Sequence, residues 1–177
     1  HRPHGRDEPV SLAPLVAQGR RRIEAVGSKD LDQLVDVVIA TEDYEELGVL
    51  MPFIYQQVGV VLVDGRRPDV ERRRAARLLG LARARKTAAA LLPLLDDPAT
   101  SPALRIELVI ALGRMRYRGA VAPLLGYAAG PLPDLQDVAI TALGEIGDRR
   151  AFGPLLNRFD ENRLTPRLRT ALSKPRP

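Results

Sequence analysis

Cations recur along the second half of this chain at a nearly fixed interval, and they are arginines far more often than lysines. Arg83, Arg85 and Lys86 form one group, Arg114, Arg116 and Arg118 a second, and Arg149 and Arg150 a third. Arg83 and Arg116 stand 33 positions apart, Arg118 and Arg149 31 apart. A guanidinium keeps its proton at any physiological pH, so it is no general acid or base. Its planar fork instead binds carboxylates and phosphates through paired hydrogen bonds. The chemistry these groups predict is recognition of an anionic surface.

Groups able to turn a substrate over are few. There is no cysteine, which removes disulfides, thiolate metal sites and thiol nucleophiles. The only histidines are His1 and His4. An N-terminal histidine would need a second, positioned imidazole to hold copper, and the first residues have the composition of an unstructured lead-in. Asp96-Asp97 and Asp160-Glu161 end two expected helices, and Asp148 starts another. Adjacent acids can hold a divalent cation, but a lone pair in a turn is ordinarily solvated. The inventory predicts no catalytic residue, no metal and no cofactor.

The elements that must position the arginines are themselves repeated. Ala75-Ala76-Arg77-Leu78-Leu79-Gly80, Leu108-Val109-Ile110-Ala111-Leu112-Gly113 and Ala139-Ile140-Thr141-Ala142-Leu143-Gly144 line up on their glycines, which are 33 and 31 residues apart. A leucine pair comes after each glycine at the same distance: Leu91-Leu92, Leu124-Leu125 and Leu155-Leu156. Self-similarity at this period predicts an all-α solenoid, whose units bury their apolar faces against one another. The units fall at about 68–98, 102–130 and 133–162. Thr165-Pro166-Arg167-Leu168-Arg169 matches Ser101-Pro102-Ala103-Leu104-Arg105 and predicts a half-unit at 165–174.

Each unit divides into two helices, A and B. In the second unit, Leu104, Leu108, Val109, Ala111, Leu112 and Met115 share one side of an A helix expected at 103–115. A polar turn then leads to a B helix at 120–129. The third unit repeats the plan, with helices at 134–146 and 151–159. Pro68, Pro102, Pro133 and Pro166 open the A helices, where the N–H that proline lacks would be unpaired anyway. Ser101 and Thr165 are expected N-caps. The surroundings of Pro14 and Pro52 resemble those of Pro123 and Pro93, so residues 11–65 are expected to form degenerate units with helices at 11–26, 31–41 and 44–63. Asp30 with Gln33, and Asp43 with Glu45 and Glu46, supply start signals for the last two. Residues 1–10 are the expected lead-in.

Composition agrees with this plan. Tryptophan is absent and aromatics make up 4% of the chain, so the core must come from Leu, Val, Ile and Ala. The longest charge-free stretch, Leu47 to Val63, is short for a membrane span and contains Pro52, Gln56 and Gln57. A core helix and no transmembrane segment are expected there. Charge is divided unevenly: residues 1–65 carry 6 basic and 11 acidic side chains, residues 66–177 carry 21 and 11. Such asymmetry bears on partners, not on fold.

The run from Thr141 through Gly144-Glu145-Ile146-Gly147-Asp148 to Ala151-Phe152-Gly153-Pro154-Leu155-Leu156 resembles the HEAT-repeat consensus of the phycobilisome-lyase-like branch. The likeness is close over residues 68–160. Two units depart from it: Arg116-Tyr117 and Arg83-Ala84 stand where the pattern has glycine-aspartate, which removes the aspartate that would cap helix B. The resemblance implies a right-handed α-α superhelix with B helices lining the concave face. It also implies a protein-binding scaffold, since most members are scaffolds and a minority are bilin lyases, iron-dependent hydroxylases or DNA glycosylases. The hydroxylases need histidine-glutamate pairs, and this chain has none.

Stacked in register, the A–B turns share one edge, and the eight cations would form a ridge along it. Arg72, Arg73, Arg74 and Arg77 are expected on the outward side of the first A helix. Tyr127, Asn157 and Arg158 come after leucine pairs and are expected to face away from the core. The expected partner is a protein with an acidic surface. A bilin-lyase-like enzyme component is one alternative, and a nucleic-acid backbone binder another. The latter fits less well, because base stacking needs exposed aromatics and the basic region offers only Tyr117, Tyr127 and two phenylalanines that fit the core register. Charge runs on helices also serve simply as solvated edges, and that reading of the ridge stays open here.

Overall fold

A computed structural model describes residues 35–36, 38–40 and 44–158, without the side chains of 44–50, 53, 157 and 158. The expected lead-in, the helix at 11–26, the half-unit at 165–174 and the caps at Asp30, Asp43 and Thr165 lie outside the described residues. Residues 35–36 and 38–40 are helical. Beyond them the chain forms helices α1 (Tyr44–Val63), α2 (Asp69–Leu81), α3 (Ala88–Asp96), α4 (Pro102–Arg114), α5 (Val121–Ala128), α6 (Pro133–Ile146) and α7 (Arg149–Arg158). Among the described residues there is no strand. The chain is an all-α helical-repeat solenoid.

Two layers result. The A helices α2, α4 and α6 stack side by side, each also packing on the B helix before it, as α2 does on α1 and α6 on α5. The B layer runs α1, α3, α5, α7, so α1 takes the place of a B helix ahead of the first clear unit. One apolar cluster runs through the stack, from Val35 to Leu155. The leucine pairs show how it is built: Leu91, Leu124 and Leu155 are buried, while Leu92 and Leu125 are half-buried and Leu156 is exposed.

Local chemistry explains where the A helices start. Pro102 and Pro133 take first helical positions, and Pro68 stands immediately before α2. The Ser101 hydroxyl accepts the Leu104 N–H at 3.0 Å, as expected of an N-cap, and donates to Asp69 one unit back at 2.7 Å. Asp69 and Glu71 open α2, and Asp134 opens α6, where negative charge suits the helix dipole.

The repeat glycines allow the A helices to touch. A Cβ on Gly80 would lie 2.8 Å from the Ala111 Cα, and one on Gly113 would lie 2.7 Å from the Ala142 Cβ. Each of these alanines precedes the next unit's glycine by two positions, so the contact is itself repeated.

A candidate interaction surface

Each A–B turn is made by a left-handed residue three positions after the repeat glycine. Arg83 (φ 50°), Arg116 (φ 51°) and Gly147 (φ 66°) hold this position in turn. In the first turn, Arg83 N–H donates to Gly80 O at 3.0 Å and Ala84 N–H to Leu79 O at 3.0 Å. Arg116 and Tyr117 repeat this with Gly113 O and Leu112 O, whereas Gly147 N–H makes one bond to Leu143 O. The turn is thus closed by backbone hydrogen bonds in every unit, although two of the three positions lack the glycine that favours them. A side chain in the left-handed region costs about 1 kcal/mol. Arg83→Gly and Arg116→Gly should therefore each raise stability by up to about 1 kcal/mol in urea denaturation.

The start of each B helix depends on the aspartate that two units lack. In the third unit, the Asp148 side chain accepts the Arg150 N–H at 2.9 Å and caps α7. That helix starts at Arg149, two residues earlier than expected, and leaves Pro154 in its interior. The other two units have no capping carboxylate, and a 3-10 turn (Arg85–Thr87, Arg118–Ala120) leads into the B helix instead.

The eight expected ridge cations prove unequal. Arg83, Arg85, Lys86, Arg116, Arg118, Arg149 and Arg150 are exposed, and Arg114 is half-buried. Arg150 is neutralised by Asp148, with Nη2 2.7 Å from the carboxylate, and also reaches the Arg118 carbonyl at 3.4 Å. That contact joins the second and third turns. None of the other seven pairs with a carboxylate among the described residues.

Hydrogen bonds from the Arg150 guanidinium and backbone, with the charges of Arg150 and Arg118, pull the Asp148 pKa from its ordinary 3.8 down to about 2. A folded-state pKa below the unfolded one stabilises the fold above about pH 4, and this is lost as pH falls through about 2. Asp148→Asn should thus be less stable than the parent at pH 7. The difference between their denaturation midpoints should shrink between pH 4 and pH 2.

Several other expectations need correction. Arg72 is not outward: it is 7% exposed, and its Nε donates to Leu62 O at 2.8 Å, at the end of α1. Arg73 pairs with Asp69 at 2.9 Å, Arg77 crosses to Glu107 of α4 at 2.5 Å, and Arg74 donates to Ile39 O at 3.4 Å. Arg72, Arg74 and Arg77 fasten α2 to its neighbours. Tyr127 packs on the core instead of facing away, its hydroxyl donating to Leu95 O on the adjacent B helix at 2.8 Å. Burial pushes its pKa up. Phe152, expected in the core register, is 40% exposed because Ala151 and Leu155 take the inward positions of α7. Asn157 and Arg158 end α7, with side chains outside the described set.

One series of residues, given no shared role by the sequence reading, is used by the fold in the same way. Arg72, Arg105 and Gln136 each precede a repeat glycine by eight positions. Each reaches back to a carbonyl at or just after the end of the preceding B helix: Arg72 to Leu62, Arg105 to Asp97 at 3.0 Å, Gln136 to Gly130. A long donor side chain at the same register position in every unit was the available signal.

The two layers also differ in outward chemistry. Among the described side chains, exposed positions of the B helices are uncharged apart from Asp96 and the Arg149-Arg150 start of α7: Ala89, Ala90 and Pro93 on α3, Ala122 and Gly126 on α5, Phe152, Gly153 and Leu156 on α7. Outer positions of the A helices carry Arg73, Arg77, Glu107, Asp134 and Asp137. Among the described residues, no group of three or more His, Cys, Asp or Glu side chains could hold a metal ion, and no helix is long and apolar enough to cross a membrane.

A comparison with curated proteins found no match. A family model for HEAT repeats matches residues 60–139 and 99–173, which together take in every helix from α2 to α7. With its paired A and B layers and its repeated glycine contact, this chain belongs to the HEAT-repeat family.

Proposed function

We infer that the chain is a non-catalytic protein-binding or scaffolding module, which holds its partner on the exposed B-helix face and the basic edge of A–B turns. HEAT repeats point to an interaction or scaffold role. The observation that carries the choice of surface is the sorting of the arginines. Those on α2 are engaged within the stack, while the exposed turn cations other than Arg150 stand unpaired with described carboxylates, beside described B-helix side chains that carry almost no charge. The run from Thr141 to Leu156 supports a place in the phycobilisome-lyase-like branch.

The test is cross-linking mass spectrometry of the full chain in extract from its source, compared with an Arg85→Glu/Arg118→Glu/Arg149→Glu variant. Arg150 is left in place because it holds Asp148. Cross-links mapping to the turns and α7, and lost in the variant, support the surface. A partner captured equally by both proteins overturns it. Capture of nucleic acid alone, released by moderate salt, favours backbone binding instead.

A further inference from the structure

We propose that the B face takes an acidic amphipathic segment of a partner protein, its bulky apolar side chains lying on α5 and α7 and its carboxylates along the turn edge. The proposal rests on the interaction surface inferred above and specifies its occupant.

The charge at the B-helix starts is opposite to that at two of the three A helices, α4 having no acid in its first turn. Helices α2 and α6 begin with acids, which their dipoles favour, whereas α3, α5 and α7 have no acid in their first turns. Arg85 and Lys86 lie just before α3, Arg118 just before α5, and Arg149 opens α7. Cations there face the positive ends of the dipoles, an arrangement unfavourable in the free protein and relieved by incoming carboxylates. Only Asp148 offsets it from within the described chain, and it serves Arg150.

The face these cations border is apolar. Phe152 and Leu156 stand 40% and 39% exposed on one side of α7, with Ala122 and Gly126 exposed on neighbouring α5. Large apolar side chains in water beside a charged margin suit a partner of matching amphipathic form. A nucleic-acid backbone would use the cations but leave the apolar strip in water. The complementary pattern is leucine-like residues with glutamates or aspartates along one flank.

The probe is a fluorescein-labelled, helix-forming peptide of about 18 residues, long enough for several helical turns, with leucines on one face and glutamates beside them. It is titrated with the full chain by fluorescence anisotropy. A second peptide carries lysine for every glutamate. The glutamate peptide should bind at least about 10-fold more tightly than the lysine peptide at low salt. Phe152→Ser/Leu156→Ser should weaken it about 10-fold. Arg85→Glu/Arg118→Glu/Arg149→Glu should also weaken it and should gain affinity for the lysine peptide, a result that a misfolded variant cannot give. Equal binding of both peptides, or binding unchanged by both sets of substitutions, overturns the proposal. Should the glutamate peptide fail to bind while cross-links to the partner remain sensitive to the turn variant, the occupant is wrong and the interaction surface stands. Loss of both results removes the surface as well.

Discussion

Gly113→Ala is expected to destabilise this protein by about 2 kcal/mol, although alanine is the better helix former by about 1 kcal/mol. The new methyl would meet Ala142 Cβ at 2.7 Å and its Cα at 2.8 Å. A flexible side chain could turn aside from such a contact, but a helix backbone moves only by carrying its neighbours with it. Because α4 packs against α2 on one side and α6 on the other, separating α4 from α6 disturbs the whole A layer. Gly80→Ala should behave in the same way, since its Cβ would lie 2.8 Å from Ala111 Cα.

Two other glycines provide the control. A Cβ at Gly126 or Gly153 would have nothing within 4 Å, and both residues are exposed on B helices. Alanine at either should raise stability by about 0.5–1 kcal/mol through helix propensity alone. Four urea denaturation curves check the contrast: two midpoints should fall and two should rise. Gly80→Ala combined with Ala111→Gly should cost less than the sum of the two separate losses, because the two residues share one contact. Equal midpoints for Gly113→Ala and the parent would mean that α4 and α6 do not approach this closely.

The repeat itself was legible because its most regular residues do repeated steric work. Gly80 and Gly113 keep one spacing since each must clear an alanine of the next unit, and the leucine pairs keep theirs since one member must always enter the core. The left-handed position could be seen only where glycine occupies it, at Gly147. At Arg83 and Arg116 the same backbone conformation is held by a residue that gives no sign of it. Asp148 showed as a capping residue, but the 3-10 turns that replace its cap elsewhere had no comparable marker.

The arginines were legible as a count and not as a set of roles. Arg72 and Arg85 are the same residue type in similarly charged surroundings, yet one lies buried against Leu62 O and the other is exposed. What separates them is a carbonyl ten residues away in the chain, brought close by the packing of α2 on α1. For Arg77 and Glu107 the separation is 30 residues, and for Tyr127 and Leu95 it is 32. Local charge patterns do not contain distances of that kind. Phe152 failed for a related reason: Ala151 and Leu155 already supply the inward side of α7, so the larger residue between them turns outward.

Arg72→Met should cost about 2–3 kcal/mol, one of the largest losses available to any single arginine here. Methionine keeps much of the apolar stem, so the packing of α2 on α1 is preserved and the missing donor dominates. Leu62 O, near the end of α1, would lose its charged partner in a site that is 7% exposed at Arg72. Lysine should rescue little, because a compact ammonium would have to shed its water to enter that site. Gln136→Leu removes a neutral donor from the same register position and should cost less, about 1 kcal/mol. The two sites lie in different units without a shared partner, so a double variant should show the sum of the separate losses. Arg85→Met, on the exposed turn, should stay within about 0.5 kcal/mol of the parent. Comparable losses from Arg72→Met and Arg85→Met would mean that the division between fastening arginines and surface arginines is wrong, and with it the reason for assigning the turn edge to a partner.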